Sequence, residues 1–113
     1  LTGLSVVRAR ALIMSLEDVI AAPHVDREAF RAGGPIFASL RQDGILNVKL
    51  DSDHQAHLCG AEPAMFKPVT GGFGRMGFTT VNLDSVGEVE LLSVLRLSHA
   101  LSRQKLDKTK RRR

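Results

Sequence analysis

Apolar positions along this chain change period twice. They follow a helical spacing near the start, alternate through the middle, and return to a helical spacing at the end. Ala9, Leu12, Ile13 and Leu16 recur at i, i+3, i+4 and i+7 and so share one face of a helix that begins after Thr2 or Ser5, with Arg8 and Ser15 opposite. Propensity alone carries this helix to Ala21, and Pro23 limits it because proline removes a donor and clashes with the preceding turn.

Alternation takes over next. Residues 29–31 read as a short strand, and Gly33-Gly34 supplies a turn that tolerates positive φ. Pro35 opens a second strand in which Ile36, Ala38 and Leu40 point to one side and Phe37, Ser39 and Arg41 to the other. Asp43-Gly44 is a hairpin signal, after which Leu46, Val48 and Leu50 alternate with Ile45, Asn47 and Lys49. A short helix over 52–59 has Asp51 or Ser52 as N-cap, and Pro63 closes that region. Residues 66–69 form a fourth strand, and a loop at Gly71-Gly72-Phe73-Gly74 leads to a fifth over 78–83. Asp84 or Ser85 caps a final helix from about Gly87 onward. The expected fold is a two-layer α+β domain with an antiparallel five-stranded sheet, helices on one face, and the order α-β-β-β-α-β-β-α. Leu12, Leu16, Ile36, Leu46, Val48, Val81, Leu92 and Leu95 are the expected core.

Length and composition agree with one domain: 113 residues, 43% apolar and 25% charged. No apolar run approaches the roughly 20 residues that span a bilayer, and Arg8 and Arg10 interrupt the first apolar stretch, unlike a signal peptide. The single cysteine, Cys59, excludes an intramolecular disulfide and suits a reducing cytoplasm. Charge divides the chain more sharply. The net +4 is the sum of a basic tail over 103–113 (Arg103, Lys105, Lys108, Lys110, Arg111, Arg112 and Arg113, with Asp107 the one acid) and a domain over 1–102 that carries −2. Such a tail attracts phosphates whatever the domain does.

The candidate chemistry is sparse. Gly72-Phe73-Gly74-Arg75-Met76-Gly77 spells G-x-G-x-x-G, but a strand-like Thr79-Thr80-Val81 comes next where a dinucleotide fold needs a helix, so a hairpin connection is the better reading. His54, His57 and Cys59 resemble a metal cluster, yet Cys59 falls off the histidines' helix face and no second cluster completes a ligand set. No nucleophile sits in a recognisable catalytic motif, which argues against an enzyme and requires no cofactor. Arg31, Arg41, Lys49 and Arg75 lie in or beside strands and hairpin loops, where cations meet phosphates. Trp and Tyr are absent and the five Phe residues fall mostly at core-like positions, which argues against a stacking platform for single strands.

Ala29-Phe30-Arg31, Gly34-Pro35-Ile36-Phe37-Ala38, Asp43-Gly44, Phe66-Lys67-Pro68 and the segment Gly77-Phe78-Thr79-Thr80-Val81-Asn82-Leu83 together resemble the MmcQ/YjbR-like family over most of residues 5–102. Relatives usually carry Pro-Gly near Glu17-Asp18, which implies that the first helix ends near Leu16. They carry Gly-Trp at Gly77-Phe78, which implies an aromatic core residue there. The resemblance implies a secretion-chaperone-like fold and a DNA-binding double-wing motif, and brings no catalytic residues. It leads to a non-enzymatic, cytoplasmic binding protein for DNA, with most affinity expected in the tail. The alternative is a protein-interaction or chaperone-like module. Leu91, Leu92, Val94, Leu95, Leu97 and Leu101 cover more than half of the last helix, wider than one sheet face requires, so Leu91, Val94, Leu97 and Leu101 offer a face for a homodimer or partner unless the first helix or the loop around Val19 and Ile20 covers them.

Overall fold

A computed structural model describes residues 3–111, with side chains through residue 104. Ser5 caps α1 (Val6–Met14): its side chain accepts from the Arg8 N–H at 3.0 Å. The helix stops at Ser15, and Asp18, at φ 62°, turns the chain. The next segment corrects the expectation of helix or loop, because residues 20–24 form a strand, β1 (Ile20–His24). It pairs antiparallel with β2 (Arg27–Arg31), from Ile20 opposite Arg31 to His24 opposite Arg27. β1 is an edge strand, which is why Pro23 is tolerated in it. Val25 in the two-residue turn has φ 60° and is 98% exposed, an unfavourable backbone for a β-branched residue.

The rest of the chain adds β3 (Ala38–Arg41), β4 (Leu46–Lys49), α2 (Ser52–Ala61), β5 (Phe66–Pro68), α3 (Gly72–Arg75), β6 (Phe78–Val81) and α4 (Glu88–Arg111). Among the described residues the sheet has six strands, not five, all antiparallel, in the order β1-β2-β3-β4-β6-β5. α3 interrupts the predicted direct hairpin between the last two strands. α2 starts as predicted, with Asp51 accepting from His54 N–H at 2.7 Å. The turn before α4 is tied by Asn82, whose Oδ1 accepts from Asp84 N–H and whose amide donates to Ser85 Oγ.

One core lies between the sheet and the helices α1 and α4. Ala9, Leu12 and Ile13 of α1 meet Phe30, Leu40, Leu46, Val48 and Val81 of the sheet and Leu91, Val94 and Leu95 of α4. Leu16 and Leu92 are partly buried at its margin. Ile36 is a second correction. Phe37 and Ala38 both oppose Phe30, with Phe37 N–H donating to Phe30 O at 3.0 Å while Ala38 is its ladder partner, and both side chains are buried. This β-bulge shifts the alternation by one residue. Phe37 turns to the helices and Ile36 to the opposite face.

Polar residues of α4 fasten the loops around this bulge. Ser98 Oγ lies 2.7 Å from Phe37 O and 2.8 Å from Lys49 O, and Ser102 Oγ donates to Pro35 O at 2.9 Å. His99 Nε2 meets Glu17 O at 2.7 Å and stands edge-on to Phe37. Arg103 donates to Ala32 O and pairs with Asp18.

Candidate functional site

Alternate residues of the strands that build the core form the other face of the sheet, which no helix of the core layer covers among the described residues. Ala29, Ser39, Asn47, Thr80 and Lys67 are ladder neighbours in one row across β2, β3, β4, β6 and β5. Flanking rows hold Arg27 opposite Arg41, and Lys49 opposite Phe78. Arg31 alternates with Phe30 and so shares this face with Arg27 and Ala29. The β1–β2 turn rises at one end and α3 at the other, enclosing an open depression of about 790 Å³ lined by residues as far apart as Val25 and Phe73.

The face carries five cations (Arg27, Arg31, Arg41, Lys49 and Lys67) against two acids at its rim, Asp26 and Asp43. Asp26 accepts from Arg27 at 3.0 Å and lies 3.6 Å from Arg41, and Asp43 pairs with Arg41 at 2.9 Å. The hydrogen bond from Arg27 holds the Asp26 carboxyl below its ordinary range, so it stays ionised and offsets part of the charge at that end. Arg31 and Lys67 form no ion pair among the described residues. Three other acids pair with arginines of the helices: Glu88 with Arg8, Glu28 with Arg10 and Asp18 with Arg103. The −2 of the domain therefore averages a basic sheet face with an acidic remainder.

Two aromatic rings stand at the α3 end. Phe78 is half-buried on the open face, which corrects its expected place in the core: Thr79, its neighbour, takes the inward position and donates to Gly77 O at 3.1 Å. Phe73 is 65% exposed and meets Phe78 edge-on, with centroids 5.9 Å apart. Lys49 Nζ lies 5.4 Å over the Phe78 ring. Gln55 of α2 fixes this corner, donating from Nε2 to Gly74 O at 2.9 Å and lying 3.2 Å from Phe78 O.

Of the sequence-predicted cations, Arg31, Arg41 and Lys49 share this face, and of these Arg41 lines the depression. Arg75 sits on α3, exposed, outside the depression. Arg103 belongs to the folded body through Asp18 and Ala32. The side chains of Lys105, Lys108, Lys110 and Arg111, and all of Arg112 and Arg113, lie outside the described residues. Sequence reasoning missed Arg27, Lys67, Phe73 and Phe78. The signal for Phe78 was its alternation with Thr79 and Val81. Lys67 and Arg27 gave none, because only the strand order brings them to one surface.

The remaining candidates have local explanations. A Cβ on Gly74 would stand 1.7 Å from Val69 O, and one on Gly77 1.8 Å from Leu50 O, so these glycines of the G-x-G-x-x-G run permit close backbone approach. His54 Nδ1 lies 2.8 Å from Asp51 Oδ1, beside the helix cap, and among the described residues no three His, Cys, Asp or Glu side chains gather into a metal-binding group. Burial pushes the Cys59 thiol up, away from the nucleophilic thiolate. Leu91 and Val94 are buried in the core, and Leu97 and Leu101 pack partly buried against it, so the four do not make a free stripe. Among the described residues no helix is long and apolar enough to cross a membrane.

The fold defined by this sheet and its helices is similar to that of DR2400, a Deinococcus radiodurans protein whose crystal structure carries a domain of the DUF419 family, a family related to the MmcQ/YjbR-like proteins. The TM-score is 0.70, with 24% identity, over 86% of this chain and 77% of that one. At that identity the likeness establishes the fold alone. No family model matches the chain, and no curated protein matches it.

Proposed function

We propose that this is a non-enzymatic, cytoplasmic DNA-binding protein of MmcQ/YjbR-like type, and that the open face of the sheet, in addition to the basic tail, holds the DNA. The observation that carries this reading is charge placement. Five cations share the open face of a domain whose net charge is −2, and three of them, Arg27, Arg41 and Lys67, line its depression. Phosphates would meet Arg31 and Lys67 without first displacing an acid. The same observation shifts the expected balance of affinity from the tail toward the folded domain. The protein-partner alternative has less support, because α4 spends Leu91 and Val94 on its own core.

The test is the salt dependence of binding to a labelled oligonucleotide. Each phosphate neutralised adds about −0.7 to −0.9 to the slope of log K against log salt. The double variant Arg31→Ala, Lys67→Ala is expected to flatten that slope by about 1 to 2 while leaving the melting temperature in place. Truncation after Gln104, which keeps the Arg103 contacts, is expected to weaken binding and leave a salt-dependent remainder. A truncated domain that retains no DNA at low salt would assign all the affinity to the tail and reject the sheet face.

A further inference from the structure

We propose that the open face takes DNA as a short single strand, with one base stacked on the Phe73 ring. This rests on the DNA-binding reading above and adds the form of the ligand. A surface built only for duplex phosphates needs cations and no aromatic ring, since the faces of paired bases are hidden in the stack. Here a ring that is 65% exposed lines the same depression as Arg27, Arg41 and Lys67. Phe73 contributes nothing to the core. Its position is nonetheless fixed: Phe78 holds it edge-on at 5.9 Å, and Gln55 ties the α3 backbone to β6 through Gly74 O and Phe78 O. An exposed, fixed aromatic beside a positive track is the arrangement by which single strands are bound without sequence readout.

The remainder of the face suits the same ligand. Lys49 lies against Phe78, next to the stacking position, where a phosphate flanking the stacked base would pass. Lys67 on β5 and the Arg27–Arg41 pair beside the β1–β2 turn line the depression, so a strand running from α3 toward that turn passes all three. Four inter-strand steps of about 4.8 Å separate β5 from β2, a span of about 19 Å that accommodates a few nucleotides. In the middle, Thr80 Oγ1 donates to Asn47 Oδ1 at 2.7 Å, which leaves the Asn47 NH₂ group as donor toward base carbonyls.

The experiment compares three ligands, a 12-nucleotide oligothymidylate, a 12-base-pair duplex and an abasic 12-mer that keeps the phosphates and lacks bases. Each is titrated against the full chain, Phe73→Ala and Phe73→Trp. The wild type is expected to bind the oligothymidylate about tenfold or more tighter than the abasic strand and tighter than the duplex. Phe73→Ala should remove about tenfold from oligothymidylate binding and leave abasic binding unchanged, with an unaltered melting curve because the side chain is exposed. The chain has no Trp or Tyr, so Phe73→Trp places a lone fluorophore at the site, and its emission should be quenched by oligothymidylate and not by the abasic strand. Equal affinity for thymidylate and abasic strands, an unchanged Phe73→Ala, or preference for duplex would overturn the stacked single strand while leaving DNA binding intact. Failure of all three ligands to bind at low salt would reject the DNA reading itself, and this inference with it.

Discussion

The two faces of one sheet are made from alternate residues of the same strands, and they differ in what each residue answers to. On the helical side Phe30, Leu46, Val48 and Val81 are held by the shapes of α1 and α4. On the open side Arg27, Lys49, Lys67 and Phe78 have no helix layer above them, and charge and aromaticity replace apolar fit. Stability and binding should therefore separate by face, with changes on one leaving the other nearly unmoved.

The largest test of that separation is Leu95→Ala, since Leu95 is fully buried on the core side of α4. Chemical denaturation should show a loss of about 2–5 kcal/mol, while the folded fraction binds oligonucleotide as before. Gly77→Ala comes next, because it introduces both a clash with Leu50 O and an alanine at φ 107°. The expected loss is at least about 1 kcal/mol, and because Gly77 leads into Phe78, this variant alone should also lower DNA affinity. If Gly77→Ala left the melting curve unchanged, the close approach of the α3–β6 turn to β4 would be wrong.

The reverse experiment acts on the open face. Asp26→Asn with Asp43→Asn removes the two acids that hold Arg27 and Arg41. Binding should tighten several-fold and its salt slope steepen, with stability within about 0.5 kcal/mol of the parent. Weaker binding would mean that those carboxylates position the arginines rather than compete with the ligand.

The smallest effect belongs to pH. Hydrogen bonding from Arg10 holds the Glu28 carboxyl below its ordinary range, so this pair stabilises the fold above the unfolded carboxylate's titration and loses that contribution as pH falls through the depressed folded value. Glu28→Gln should melt slightly lower than the parent near neutrality. The gap should close in acid, when both proteins carry an uncharged side chain there. A gap that persisted at low pH would point to packing of Glu28 rather than to its charge.

How far these features could be read beforehand differs from element to element. The α1 face, the Asp51 cap and the Asp43-Gly44 turn rest on interactions between residues a few positions apart, and each was legible. β1 was not, because Ile20 is 71% exposed and the strand is largely solvated, so no alternation of apolar residues marks it. Its existence depends on hydrogen bonds from β2 and on Asp18 turning the chain. The bulge at Phe37 and Ala38 was equally invisible, since a one-residue insertion leaves composition untouched and is imposed by pairing with Phe30.

By itself the sequence determined an antiparallel α+β domain with its first and last helices on the apolar side of the sheet, a basic end and an acidic average charge, because period, turn chemistry and composition act locally or additively. Only the tertiary structure decided that β6 lies between β4 and β5, and that Arg27, Lys49, Lys67 and Phe73 share one surface. That surface is a property of strand order. Residues as distant in the chain as Arg27 and Phe73 line one depression because the ladders between them are formed, and no local pattern encodes which strands will be neighbours.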